Sequence, residues 1–336
     1  MLRLLRRILG FCLILIVIAV LVGSIYQAVY SAREKREYPP PGNLIDVDGY
    51  RLHLFCIGKG SPTVVLHWPY SLGWYSVQPE IAKFTRVCAV DPAGLGWSES
   101  GPASRDSNQI AIELNRVLTR GNVQPPYVLV AHSRGAFYVR VFAARFQNEI
   151  AGIVLVDPEH EDTLTRIPEA NLSWSTRTLL HLGPLLTRIG IVRIAKRCGA
   201  HTWMEDHRVP PLIEQQSVAL ECRPSFIQAE ADHQWQLERS AQEARSSGTL
   251  GRIPLTVISR DPSYYPSHDP QSMKASDAHI EAVWSELQQD QLKLSSDSRQ
   301  IIALGAGHGI PWQRPDVVIE AVRAMVQSAR EKSTVN

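Results

Sequence analysis

The stretch "AHSRGAF" (131–137) places Ser133 between an apolar run, "YVLVA", and a helix-like run, "GAFYVRVFAARFQ". A serine hydroxyl becomes a useful nucleophile when a base takes its proton, a third group orients that base, and hydrogen-bond donors receive the oxyanion. A sharp strand-to-helix turn lifts the hydroxyl clear of its neighbours and lets helix and strand pack closely if the residues two positions either side are small, as Ala131 and Gly135 are. Partners of the right type follow downstream. Asp261 comes after "IPLTVISR" and His308 sits between glycines after "IIAL", each past an apolar run. Loops at the C-terminal ends of parallel strands converge on one crevice in open α/β sheets, so these residues can meet. Asp157 in "VLVDPEH" also ends such a run, and both aspartates precede Pro, so two carboxylates compete for the orienting role.

These residues need a sheet to hold them. Eight β-type runs are present: "LIDVDG", "YRLHLFCIG", "PTVVLHW", "RVCAVD", "YVLVAHS", "GIVLVD", "LTVISRD" and "QIIALGAG". The later ones are almost continuously apolar, as strands covered on both faces are, and helical patterns such as "SNQIAIELNRVLTRG" separate them. That alternation predicts an α/β fold with an eight-stranded, mostly parallel sheet and helices on both faces. The first two runs meet at Asp48-Gly49, which predicts an antiparallel hairpin at the edge.

Two further stretches join the Ser133 turn in a single resemblance. "DPAGLGWSES" (91–100) resembles the Asp-x-x-Gly-x-Gly-x-Ser loop of the α/β-hydrolase superfamily, "GAGHGIPWQRPDVV" (305–318) resembles its C-terminal histidine loop, and "AHSRGAF" resembles its nucleophile elbow. From about Asn43 onward the chain is similar to that superfamily. The resemblance implies a Ser133, Asp261, His308 triad, with Asp261 in the commoner place for the acid and Asp157 as the alternative. It also implies an oxyanion hole from the N–H of Arg134 and of a residue after the "VVL" strand. Here the sequence departs from the pattern: where a Gly-rich stretch is usual it reads "VVLHWPYSLGW", with Trp68 in the position of Gly and Pro69 lacking an N–H. Trp68 or Tyr70 would then supply the second donor, and His67 is either the familiar loop histidine or a structural one. The implied activity is cleavage of an ester or related acyl bond of a hydrophobic small-molecule substrate, by a serine hydrolase of carboxylesterase or lipase type with no cofactor or metal. A serine haloperoxidase would keep the same triad, an epoxide hydrolase would need Asp at position 133, and a noncatalytic binding protein would result if "HWPY" had lost its oxyanion function.

Beyond the site, the composition is that of a globular protein, and a formal charge of +2 without a basic block gives no basis for nucleic-acid binding. The exception is the start. Residues 8–32 contain no Lys, Arg, Asp or Glu, and as a helix rising about 1.5 Å per residue they exceed the roughly 30 Å hydrocarbon core. Residues 1–32 are read as a single-pass membrane anchor, with a signal peptide cleaved near Gly23-Ser24 as the competing reading. Residues 33–42, charged and then Pro-rich, form an extended spacer. Residues 43–160 and 251–336 form the hydrolase core, placed on the extracytoplasmic side, and 161–250 form a helical lid. The lid contains an apolar run, "LLHLGPLLTRIGIVRIAK", that needs cover from the main domain, a substrate or the membrane, packing onto the main domain being expected. Cys56, Cys88, Cys198 and Cys222 are an even set that permits two disulfides without requiring them, Cys12 lying in the apolar segment.

Overall fold

The computed structural model describes residues 2–102, 104–198, 209–264 and 275–335. All eight predicted runs become strands: β1 (Asn43–Asp46), β2 (Arg51–Ile57), β3 (Thr63–His67), β4 (Val87–Val90), β5 (Tyr127–His132), β6 (Ile150–Val156), β7 (Leu255–Arg260) and β8 (Ser298–Ala303). They form one sheet in the order β1-β2-β4-β3-β5-β6-β7-β8. β1 and β2 are antiparallel, joined through Asp48 and Gly49 at φ 85° and 97°, the positive-φ pair that a tight hairpin requires. β2 also runs antiparallel to β4, and from β4 to β8 every pairing is parallel.

The helices are α1 (Leu2–Glu37), α2 (Ser107–Arg120), α3 (Gly135–Arg145), α4 (Trp174–Arg188), α5 (Pro211–Glu221), α6 (Pro224–Trp235), α7 (Leu237–Ser246), α8 (Ala275–Asp290) and α9 (Pro315–Val335), with shorter turns between them. Helix α2 starts where Asp106 accepts the Gln109 N–H and stops at Gly121. Alternate residues of the central strands, including Val128, Val130, Val154 and Val156, pack with Val318 and Val322 of α9. The residues between them, such as Leu129, Ala131, Ile153 and Leu155, are equally buried and by strand alternation face the other side, where α3 lies against β5. Both faces are therefore covered, which is why the sequence carries continuous apolar runs there.

The chain divides into two compact units, residues 1–39 with 173–231, and 40–172 with 232–336. The division differs from the expected lid at both ends. Helix α7 belongs with the sheet, its Leu237, Ser240, Ala241 and Ala244 buried as it packs on α2 and α3. Residues 199–208 of the expected lid lie outside the described residues. The expected spacer is shortened as well, because α1 continues through Arg33–Glu37 and ends only before Pro39, Pro40 and Pro41, which cannot continue a helix. Helix α1 is long and apolar enough to cross a membrane.

Within the first unit, α1 is held by polar bonds. Gln27 donates to the Cys222 carbonyl at 2.8 Å and accepts from Arg193 Nε at 3.1 Å, and the Arg193 guanidinium pairs with Glu34. The cysteines pair as Cys56–Cys88 and Cys198–Cys222, the first joining residues that face each other across β2 and β4. Peptide mapping of unreduced protein is expected to recover these two links and alkylation at Cys12 alone, and alkylation of Cys56 or Cys88 without reductant would contradict the pairing.

Candidate active site

Ser133 follows β5 at φ 55°, a left-handed conformation that a side-chain-bearing residue adopts only when its surroundings impose it. They do so here: Ser133 N donates to the Val156 carbonyl and its own carbonyl accepts from Glu159 N, both at 3.0 Å, so the turn is pinned to the end of β6. Gly135 is required just beyond it, since a Cβ there would come within 2.7 Å of Trp68 Cβ and 3.3 Å of the His67 carbonyl oxygen. The same close approach carries the loop after β3 directly past the elbow.

His308, in the loop after β8, places Nε2 3.1 Å from Ser133 Oγ and Nδ1 2.6 Å from Asp157 Oδ2. An ionised carboxylate only accepts, so Nδ1 carries the proton and the Nε2 lone pair faces the serine hydroxyl. The carboxylate against His308 is thus the alternative, Asp157, and not the preferred Asp261. Asp261 lies in the loop after β7, where its Oδ1 caps its own turn by accepting from Ser263 N at 2.8 Å and Ser263 Oγ at 2.7 Å. Its Oδ2 accepts from Gly305 N at 2.8 Å. The Gly305 and Ser263 bonds hold Asp261 below the usual carboxylate range while it stays near the surface, tying the histidine loop to β7 without reaching the imidazole.

Asp157 is fully buried at φ 39°. Its Oδ1 accepts from Trp284 Nε1 on α8 at 3.0 Å and from Arg260 N at 3.2 Å, and the Arg260 guanidinium stands 3.4 Å from Oδ2. Burial alone would raise its pKa, but His308, Arg260 and Trp284 outweigh that and lower it below the usual value, so the group remains charged. Arg260 is itself neutralised by Glu281 and lies over the Trp284 ring, its Cζ 4.4 Å from the centroid. The net charge around Asp157 is therefore set by a buried chain of alternating sign.

His132, adjacent to Ser133 but not singled out by the sequence, supports His308 from the other side. Its Nε2 lies 2.8 Å from the His308 carbonyl, which only accepts, so Nε2 is the protonated nitrogen. Burial and the neighbouring His308 depress its pKa to about 3, keeping it neutral. Trp312 Nε1 donates to the Gly73 carbonyl at 2.6 Å and Gln313 accepts from Gly307 N at 2.8 Å, which fixes the glycine-flanked loop.

The "HWPY" loop is built around buried aromatic groups. Trp68 has φ 59° and an almost fully buried indole, edge-on to Tyr138 at 5.5 Å and to His233 at 4.7 Å, with the Arg134 guanidinium 5.2 Å from its ring centre. His67 is buried behind it, and burial lowers its pKa to about 4, so it is a neutral packing residue edge-on to Tyr138 at 5.8 Å. Asp91, opening "DPAGLGWSES", anchors this loop. It is wholly buried and accepts from Ser71 N at 2.6 Å and Trp97 N at 2.9 Å, with His53 Nδ1 at 2.8 Å. Gly96 is obligatory there, because a Cβ would fall 2.2 Å from Asp91 Oδ2. Arg134 occupies the N-cap position of α3, so its N–H lies at the positive end of a helix beside Ser133.

A cavity of about 390 Å³ opens next to these residues, with Arg134, Glu159 and Arg260 at its polar side and Leu164, Ile167 and Trp284 among its apolar walls. A larger one, about 530 Å³, is lined by Asn108, Arg145, Arg239 and Glu243 and contains no residue of the site.

A protein-family model described as alpha/beta hydrolase fold matches residues 60–190. An uncharacterized protein of Schizosaccharomyces pombe is 31% identical over 194 residues, which cover 54% of this chain and 33% of that protein, so the chain spans about a third of that relative's length. Among solved structures, a putative epoxide hydrolase from Pseudomonas aeruginosa matches with a TM-score of 0.60 at 18% identity, over 86% of this chain and 96% of that one. An esterase from Thermogutta terrifontis matches with a TM-score of 0.59 at 18% identity, over 85% and 97%. The chain has the α/β-hydrolase fold.

The contacts of the two aspartates make a sharp prediction for the acid. Asp157→Asn should lower turnover about 10,000-fold, the size of loss seen when the orienting carboxylate of such a triad becomes an amide. Asp261→Asn should change it by less than tenfold on the order-of-magnitude scale of a surface substitution. The reverse ranking in steady-state assays would return the role to Asp261.

Proposed function

We propose that this protein is a serine hydrolase that cleaves an ester or related acyl bond through a Ser133 acyl-enzyme. The observation that carries the reading is the unbroken relay from Ser133 Oγ through His308 to Asp157, at 3.1 Å and 2.6 Å. His308 Nε2 takes the Ser133 proton as Oγ attacks the acyl carbon, and Asp157 stabilises the imidazolium that results. The oxyanion is received by the Arg134 N–H and by the Trp68 N–H, whose chain passes against the elbow. His308 then returns the proton to the leaving group. Water, deprotonated by the same nitrogen, attacks the acyl-enzyme and releases the acid and Ser133.

The cavity beside the elbow supports a small acyl substrate, with Leu164, Ile167 and Trp284 for an apolar portion and Arg134 for a polar one. The likeness to a putative epoxide hydrolase does not extend to the nucleophile, since an epoxide hydrolase of this fold would use a carboxylate where Ser133 stands. Helix α1 is read as a membrane anchor on its length and composition. The two disulfides support an oxidising, extracytoplasmic location for the catalytic domain.

Fluorophosphonate labelling of the full chain followed by peptide mapping is expected to modify Ser133, with the label lost in Ser133→Ala while the melting temperature stays within a few degrees, as expected for a small change at a partly exposed residue. Modification of a different serine, or no modification of a folded protein, would remove the acyl-enzyme mechanism.

A further inference from the structure

The apolar run of α4 carries large exposed side chains. Leu179, Leu182 and Leu185 are 62%, 46% and 55% exposed, and Ile191 and Ile194 on the one-turn helix Ile191–Ile194 that follows are 45% and 63% exposed. The three leucines recur every third residue, so they share one face of α4, while Gly183, Pro184 and Thr187 turn inward. Arg177, His181 and Arg188 are exposed alongside that stripe, and Lys196 and Arg197 follow the one-turn helix. An apolar face bordered by cations is the pattern of a helix lying in a membrane surface.

The depth of this face is set by α1, in the same compact unit. Glycine is needed at position 23 of α1, because a Cβ there would stand 2.2 Å from the Ile189 carbonyl oxygen, so the corner joining α4 to the one-turn helix rests directly on α1. Counting from Ile8, the first residue after the Arg6-Arg7 pair, about 20 helical residues cross the hydrocarbon core and end near Gln27. Gln27 and Glu34 do not face lipid; they are occupied by Cys222 and Arg193. Gly23 lies one turn inside that boundary, and so does the corner packed on it.

We infer that the exposed faces of α4 and Ile191–Ile194 are immersed in the same leaflet that α1 enters, so that this unit is a two-part membrane attachment rather than a single helix with a soluble cap. The inference rests on the reading of α1 as a membrane anchor. The leucines and isoleucines would enter the acyl-chain boundary and Arg188, Lys196 and Arg197 would remain at the headgroup level, each contributing attraction to anionic lipid.

The test uses the full chain with Cys12→Ser, reconstituted in phosphatidylcholine vesicles containing phosphatidylserine. A nitroxide is placed at Leu185→Cys, Ile194→Cys, Ile14→Cys or Lys59→Cys, and collision with oxygen is compared with collision with a water-soluble nickel complex. The expected result is a shift of Leu185 and Ile194 toward the high-oxygen, low-nickel ratio of Ile14 and away from that of Lys59. Nickel accessibility at Leu185 and Ile194 with a lipid-exposed Ile14 would overturn the inference and leave the anchor intact, and protection from both reagents would overturn it in favour of a protein cover. A water-exposed Ile14 would instead remove the anchor reading on which the inference rests.

Discussion

The site depends on one bond, from the His308 ring to the buried Asp157 carboxylate. A fully buried charge is expensive unless it is paired and hydrogen-bonded. Asp157 has a partner for each oxygen: Trp284 and the Arg260 amide on one, His308 and the Arg260 guanidinium on the other. Those partners come from β7, α8 and the loop after β8, so the carboxylate draws three distant parts of the chain to the end of β6. Removing its charge would take one carboxylate from Arg260 and would free the imidazole to take the other tautomer. The same group that holds the His308 ring also ties the C-terminal third of the chain to the sheet.

A second buried carboxylate performs the matching task on the other side of the elbow. Asp91 binds the amides of Ser71 and Trp97 and thereby fixes the loop that carries Trp68. The departure of "HWPY" from a Gly-rich stretch has a physical compensation in this arrangement. The indole of Trp68 is turned into a cluster with Tyr138 and His233 and is almost fully buried, so its bulk is absorbed by packing. Ser133, Asp157 and Trp68 all have positive φ, so backbone strain is concentrated where three loops converge.

Most of the sheet was legible in the sequence because its strands are covered on both faces and read as unbroken apolar runs, and the edge hairpin because Asp48-Gly49 needs positive φ. The meeting of Ser133 and His308 was legible in Ala131 and Gly135, two positions either side of the serine, and in the glycines that flank the histidine. The carboxylate that meets His308 was not. Asp157 and Asp261 end neighbouring strands, both precede Pro, and nothing local separates them. What separates them is Trp284, Arg260 and Gly305, which reach one aspartate or the other only after folding. His132 was hidden for a similar reason, its role being fixed by a carbonyl 176 positions away in the chain. That α7 groups with the sheet was not legible, because it has the charged surface of an insertion and a narrow stripe of small buried residues, Ser240, Ala241 and Ala244, that shows its purpose only against α2 and α3.

The most direct test of this account is proton NMR of the imidazole bound to Asp157. A proton held between Nδ1 of His308 and a buried carboxylate should resonate far downfield and exchange slowly. The signal should be present in the wild-type protein and in Asp261→Asn, and absent from Asp157→Asn and His308→Ala. A downfield resonance that survives Asp157→Asn and disappears in Asp261→Asn would contradict the account.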